Sequence, residues 1–190
     1  MIITYHGDNY FRLQAGGTTV LIDPTNQRSF KGANLILNTL KPADVLPSEN
    51  NEPFWIDHPG EYEIQNIKVR GFNADFDGKK KKTIYLVNFD EINLIVLGYL
   101  SKEPTAEIQE HLKNADCLII PAGGKPWLTA PAAAKLARQL EPAVIIPSLY
   151  ENNLKSFLKE FDGECAPEEK LVFKKKDFKP NAMTIKCLKA

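Results

Sequence analysis

The sequence predicts an α/β (α+β) protein built from two sheets with helices packed outside them. Three observations carry this. The first half is a succession of short β-branched or aromatic runs punctuated by glycine, the second half alternates helix and strand, and no strand in either half is long.

Residues 2–5, 10–13 and 18–22 are the first three strands, separated by Gly7 and by Gly16-Gly17. Arg12 and Gln14 alternate with Phe11 and Leu13, the pattern of a strand with one wet face. Residues 34–38 are apolar at their centre, as expected of a strand covered on both sides. Pro42 and Pro47 open a polar loop whose most exposed part is predicted at 48–52. Strands are expected at 64–71, 82–89 and 93–98, the last two joined by a hairpin turn at 89–93. A helix follows over 104–113 with Ser101 or Thr105 as its cap, then a buried strand at 116–121 ended by Gly123-Gly124. Thr129 caps a second helix running to Leu140, with Pro131 in its first turn where a missing N–H costs little. A buried strand at 143–147, a helix at 152–161 and two closing strands at 171–173 and 183–185 complete the chain. There is no internal repeat or low-complexity linker, so residues 1–190 are expected to form one domain.

The 190 residues carry 24 Lys+Arg against 24 Asp+Glu. A chain of that length buries roughly 70% of its unfolded surface and needs no structural metal or disulfide to hold a core. Zero net charge argues against nucleic acid as the main partner, because phosphate binding wants a basic surplus. No apolar stretch is long enough to span a membrane, and Met1 to His6 do not open a secretory signal. Cys117, Cys165 and Cys187 form no C-x-x-C pair. Cys117 lies in an apolar run and is expected to be a buried, inert thiol, and the three together suggest a reducing, cytoplasmic compartment. The lysine runs at 79–82 and 174–176 read as solvated surface.

Several segments resemble metallo-β-lactamase-fold hydrolases, in the branch that contains ascorbate-6-phosphate lactonase. They are Ile3-Thr4-Tyr5-His6-Gly7, Thr19-Val20-Leu21-Ile22-Asp23-Pro24, Pro59-Gly60-Glu61-Tyr62-Glu63-Ile64, Leu97-Gly98, Ile119-Ile120-Pro121-Ala122-Gly123-Gly124 and Ile146-Pro147. The ordered set spans about residues 1–150. The resemblance implies a four-layer αβ/βα sandwich with two mixed sheets face to face. It also implies a zinc centre held by an H-x-H-x-D-H signature, with a position left open for water.

Those ligands are absent. After Asn38-Thr39 the matching positions are Leu40, Lys41, Pro42, Ala43 and Asp44, of which only Asp44 keeps the family's residue type. Tyr99 stands where the resemblance implies a bridging aspartate, Leu149 where it implies the closing histidine, and Gly7-Asp8 where related enzymes carry Gly-His. Leucine at two ligand positions would leave an ion poorly solvated. The expectation is therefore a catalytically degenerate member with no catalytic residues, metal or cofactor. Its old cleft, at Leu40, Pro42, Asp44, Tyr99 and Leu149, would bind a small ligand, or the protein would serve as an interaction module, with a homodimer as the default assembly. Asp23 is expected to be a structural buried carboxylate. The alternative is a hydrolase of a small lactone or phosphoester with one divalent metal (Mn, Mg or Zn) at a site rebuilt from His6, Asp8, His58, Asp75 and Asp77, where oxygen ligands favour the harder cations. A metal-free hydrolase would need a serine beside a histidine base, and Ser101 and Ser148 lie in no G-x-S-x-G elbow.

Overall fold

A computed structural model describes residues 1–46, 53–150, 153–179 and 182–190. The polar loop expected at 48–52 and the start of the third helix at Asn152 lie outside the described residues.

The described strands are β1 (Ile2–Tyr5), β2 (Phe11–Ala15), β3 (Thr18–Ile22), β4 (Leu35–Leu37), β5 (Leu40–Lys41), β6 (Phe54–Ile56), β7 (Gly60–Ile64), β8 (Ile67–Phe76), β9 (Lys81–Phe89), β10 (Ile92–Val96), β11 (Cys117–Pro121), β12 (Val144–Ser148), β13 (Leu171–Val172) and β14 (Thr184–Ile185). The helices are α1 (Ala106–Leu112), α2 (Ala130–Leu140) and α3 (Leu154–Lys159). One sheet runs in the order β13-β1-β2-β3-β4-β6, the other β14-β12-β11-β10-β9-β8-β7, with β5 paired to β9. Both are mixed: β3 runs parallel to β4, and β10, β11 and β12 run parallel to one another, while the hairpins are antiparallel.

The sheets pack face to face because alternate residues of each are apolar. Ile3, Phe11, Leu13, Val20, Ile22, Leu35 and Leu37 from one interdigitate with Val69, Tyr85, Val87, Leu94, Val96, Ile119 and Ile146 from the other. The residues between them, Leu118, Ile120, Ile145 and Ile95, turn outward and bury Leu136, Ala137, Leu140 and Phe157 of α2 and α3. Buried on both faces, β11 and β12 read as continuous apolar runs. Over the outer face of the first sheet a smaller cluster joins Tyr10, Leu21 and Ile36 to Phe30, which ends a 3-10 turn at Gln27–Phe30, and to Trp55.

Local chemistry sets the boundaries. Thr105, of the two candidates, caps α1 by accepting from Ile108 N, and Thr129 caps α2 by accepting from Ala132 N. The strand expected at 64–71 is two strands, with a hairpin between them at Gln65-Asn66. Both of those residues have positive φ, the conformation a two-residue hairpin loop matching the strand twist requires. Asp90-Glu91 turns β9 into β10 in the same way, at the hairpin the sequence predicts. No helix among the described residues is long and apolar enough to cross a membrane.

Two expectations need correction. Cys165 and Cys187, for which the sequence suggested no pairing, form a disulfide. Cys117 alone is a free thiol, fully buried, with burial pushing its pKa up. The lysine run at 79–82 is not wholly solvated either. Lys82 enters β9 with only 3% of its side chain exposed.

Candidate ligand cleft

A cleft of about 600 Å³ opens where the strand ends of both sheets meet. Tyr5 closes β1, and Gly7 and Asp8 form the turn after it. Tyr99 follows β10, Trp127 precedes α2, and Leu149 and Tyr150 follow β12. Pro167 and Leu188 line the remaining wall. The Asp8 carbonyl joins the two sheets by accepting from Tyr5 Oη at 2.9 Å and from Leu149 N at 2.8 Å. Leu149 takes φ +52°, and its carbonyl lies so close to Gly123 that a Cβ there would sit 1.9 Å from it. Tyr150 Oη donates to Leu188 O at 2.6 Å and seats the far wall.

The rings come in two pairs. Tyr5 and Tyr150 lie 5.7 Å apart between centroids, and Tyr99 and Trp127 meet edge to face at 5.0 Å. Burial pushes the Tyr99 phenol pKa up, and the charges of Asp23, Asp8 and Asp44 push it further in the same direction. The phenol thus stands in the field of the acidic groups that remain around this cleft.

Asp23 is buried and fully engaged. Oδ1 accepts from Thr39 N at 2.7 Å, and Oδ2 accepts from Thr39 Oγ1 at 2.5 Å and from Asn9 Nδ2 at 2.7 Å. Burial raises its carboxyl from 3.8 to about 6, against the lowering effect of these hydrogen bonds. A carboxyl whose folded pKa lies above its unfolded value contributes stability that is complete below about pH 4 and lost as pH rises through 6. The loss from Asp23 alone is roughly 3 kcal/mol. Urea unfolding at pH 4, 5, 6 and 7 should show that slope in the native protein, with Asp23→Asn flattening it; an unchanged slope would exclude Asp23 as its source.

Of the expected cleft positions only Tyr99 and Leu149 line this cleft; Leu40, Pro42 and Asp44 are not among its lining residues and offer little to a metal. Leu40 is buried, Pro42 is exposed, and exposed Asp44 pairs with Lys80. Nor do the residues of the rebuilt site come together. His6 is exposed against Tyr10, with Thr4 Oγ1 3.3 Å from its Nε2; partial burial and Arg12 lower its pKa. His58 Nδ1 pairs with Asp57 at 2.8 Å. Asp77 accepts from the backbone of Lys79 and Lys80 as a turn residue, and those bonds lower its pKa. Asp75 lies in β8, 3.1 Å from Lys82 Nζ, and accepts from Ser101 Oγ at 2.5 Å, which itself accepts from Lys82 at 2.8 Å. Among the described residues no three His, Cys, Asp or Glu side chains are grouped to hold a metal ion. The donor set does not fit zinc: the surviving oxygens are exposed, paired with lysine or saturated by hydrogen bonds.

Reasoning from sequence missed Tyr5, Trp127 and Tyr150 as wall residues and Lys82 as a buried cation. Trp127 offered one signal, standing as a large aromatic in a loop of glycines and prolines.

A family model described as a beta-lactamase superfamily domain matches residues 2–148. A protein of Thermotoga maritima, assigned as a Zn-dependent hydrolase of the metallo-beta-lactamase superfamily, superposes with a TM-score of 0.80 at 25% identity, covering 99% of each chain. One assigned as a metal-dependent hydrolase from Parabacteroides distasonis gives 0.70 at 17% identity, over 98% of this chain and 91% of that one. The metallo-beta-lactamase fold protein YhfI of Bacillus subtilis gives 0.70 at 9%, over 99% of this chain and 96% of that one. The latter two show the fold alone. No curated protein matches the chain.

Proposed function

The chain belongs to the beta-lactamase superfamily, and from that membership we propose a catalytically degenerate member whose cleft binds a small ligand without zinc. One observation carries this reading. Tyr99, at the position where the family resemblance implies a bridging aspartate, lines the cleft with a phenol ring packed edge to face on Trp127. A neutral phenol is a poor ligand for a borderline-soft dication, and its pKa here is raised, so a phenolate is disfavoured further. Leucine stands at two implied histidine positions: Leu149 lines the cleft, and Leu40 is buried in β5. Metal-activated water, the family's nucleophile, depends on the ligands replaced at these positions. What remains is a concave, aromatic-walled space with few polar groups, the usual character of a small-molecule site.

The test is metal content. Protein incubated with Zn²⁺ or Mn²⁺, desalted and analysed by inductively coupled plasma mass spectrometry should retain almost no metal. A stoichiometry near one ion per chain would overturn the reading in favour of a hydrolase rebuilt around His6, Asp8, His58, Asp75 and Asp77. Alanine variants of those five would then identify the ligands.

A further inference from the structure

The chemistry of the cleft wall narrows the ligand class. Four aromatic side chains from separate segments line it: Tyr5, Tyr99, Trp127 and Tyr150. Of the charged side chains lining it, Lys189 already has a counter-ion, with its Nζ 3.0 Å from Glu169 Oε1. Asp8 is exposed and has none: among the described residues its carboxylate takes part in no ion pair or hydrogen bond. Buried Asp23 adds to the negative field felt by Tyr99, whereas the charge of Asp44 is answered by Lys80. The cleft therefore combines electron-rich ring faces with an uncompensated negative charge.

That pairing selects among ligands. A metal dication finds no imidazole or convergent oxygens. A small, strongly hydrated cation would give up its water for rings that cannot replace it. An anion meets Asp8, and a neutral apolar molecule gains nothing from the field. An alkylated ammonium is cationic, weakly hydrated and apolar at its surface, so it exchanges little solvation for cation–π and dispersion contacts at once. Trp127 already takes part in such a contact, with Lys82 Nζ over its ring at 5.4 Å from the centroid and that charge answered by Asp75.

We propose that the cleft binds a quaternary or trialkylated ammonium group, cupped by Tyr5, Tyr99, Trp127 and Tyr150 and balanced by Asp8. This rests on the reading of the cleft as a metal-free ligand site. The test compares choline with its uncharged isostere 3,3-dimethylbutan-1-ol, which has the same shape without the charge, by isothermal titration calorimetry. Choline should bind about 10-fold or more tighter than the isostere. Asp8→Asn should weaken choline several-fold and leave the isostere unchanged, and Trp127→Leu should weaken choline more than Trp127→Phe, which keeps a ring. Equal affinity for the two compounds would overturn the cation assignment while leaving a ligand cleft in place. Binding of neither would overturn the assignment as well, and metal content, measured separately, would still decide the reading on which it rests.

Discussion

Lys82→Met should lower the unfolding free energy by about 3–5 kcal/mol at neutral pH, a large share of what holds a domain of this size together. The loss does not measure the attraction of the pair. With 3% of the Lys82 side chain and 12% of the Asp75 side chain exposed, both charges have been taken out of water, and each is tolerable only because the other is 3.1 Å away. Removing the ammonium leaves Asp75 buried, with Ser101 Oγ as its remaining close partner. The same logic predicts the rescue. Lys82→Met combined with Asp75→Leu removes both charges and should recover more than half of the loss, because an apolar pair of similar volume needs no compensation. Guanidinium unfolding of the two singles and the double closes the cycle. A single variant costing under about 1 kcal/mol would mean that the pair is solvated and behaves as a surface ion pair.

That pair also marks where reading the sequence stopped. Four consecutive lysines average to a wet loop, and only the pairing of β9 with β5 turns Lys82, opposite Leu40, toward the interior while Lys81 faces solvent. Alternation and glycine punctuation made β1, β2, β3, β11 and β12 legible, since their burial follows a single strong pattern. The strand β7 was not legible. Its Gly60-Glu61-Tyr62-Glu63 has little β preference and gains its conformation from pairing with β8. The disulfide joins cysteines 22 residues apart, a spacing that carries no pairing information without the fold. Within the cleft, Tyr99 and Leu149 were within reach of the sequence because family motifs bracket them, whereas Leu40, bracketed in the same way, is buried in β5 and does not line it. Tyr5, Trp127 and Tyr150 were not within reach, because each sits in an unremarkable local setting and they meet only where three distant loops converge.

The second large effect is expected at Gly98, and it tests how tightly the cleft is built. Gly98 holds φ +60°, and a Cβ there would lie 2.4 Å from both Cβ and Oγ1 of Thr39. Gly98→Ala thus incurs the left-handed backbone penalty of about 1–2 kcal/mol, together with overpacking of roughly 1–3 kcal/mol. It also presses on the residue that supplies two of the three donors to buried Asp23, so the total should reach about 3–5 kcal/mol. Gly124 separates these contributions. It has φ +81° but no atom within 4 Å of a built Cβ, so Gly124→Ala should cost only the backbone share, about 1–2 kcal/mol. Gly123 gives the converse case, with no positive φ and a backbone carbonyl, Leu149 O, 1.9 Å from the built Cβ. Unfolding curves for the three alanine variants should rank Gly98 and Gly123 well above Gly124. Near-ultraviolet circular dichroism should follow the same order, because Gly98 is followed directly by Tyr99 and Leu149 by Tyr150, and both rings line the cleft. If Gly98→Ala proved no worse than Gly124→Ala, Thr39 would have room to move. The Asp23 network would then be a loose support, and the aromatic wall would owe its shape to Tyr5, Trp127 and Tyr150 rather than to that buried carboxylate.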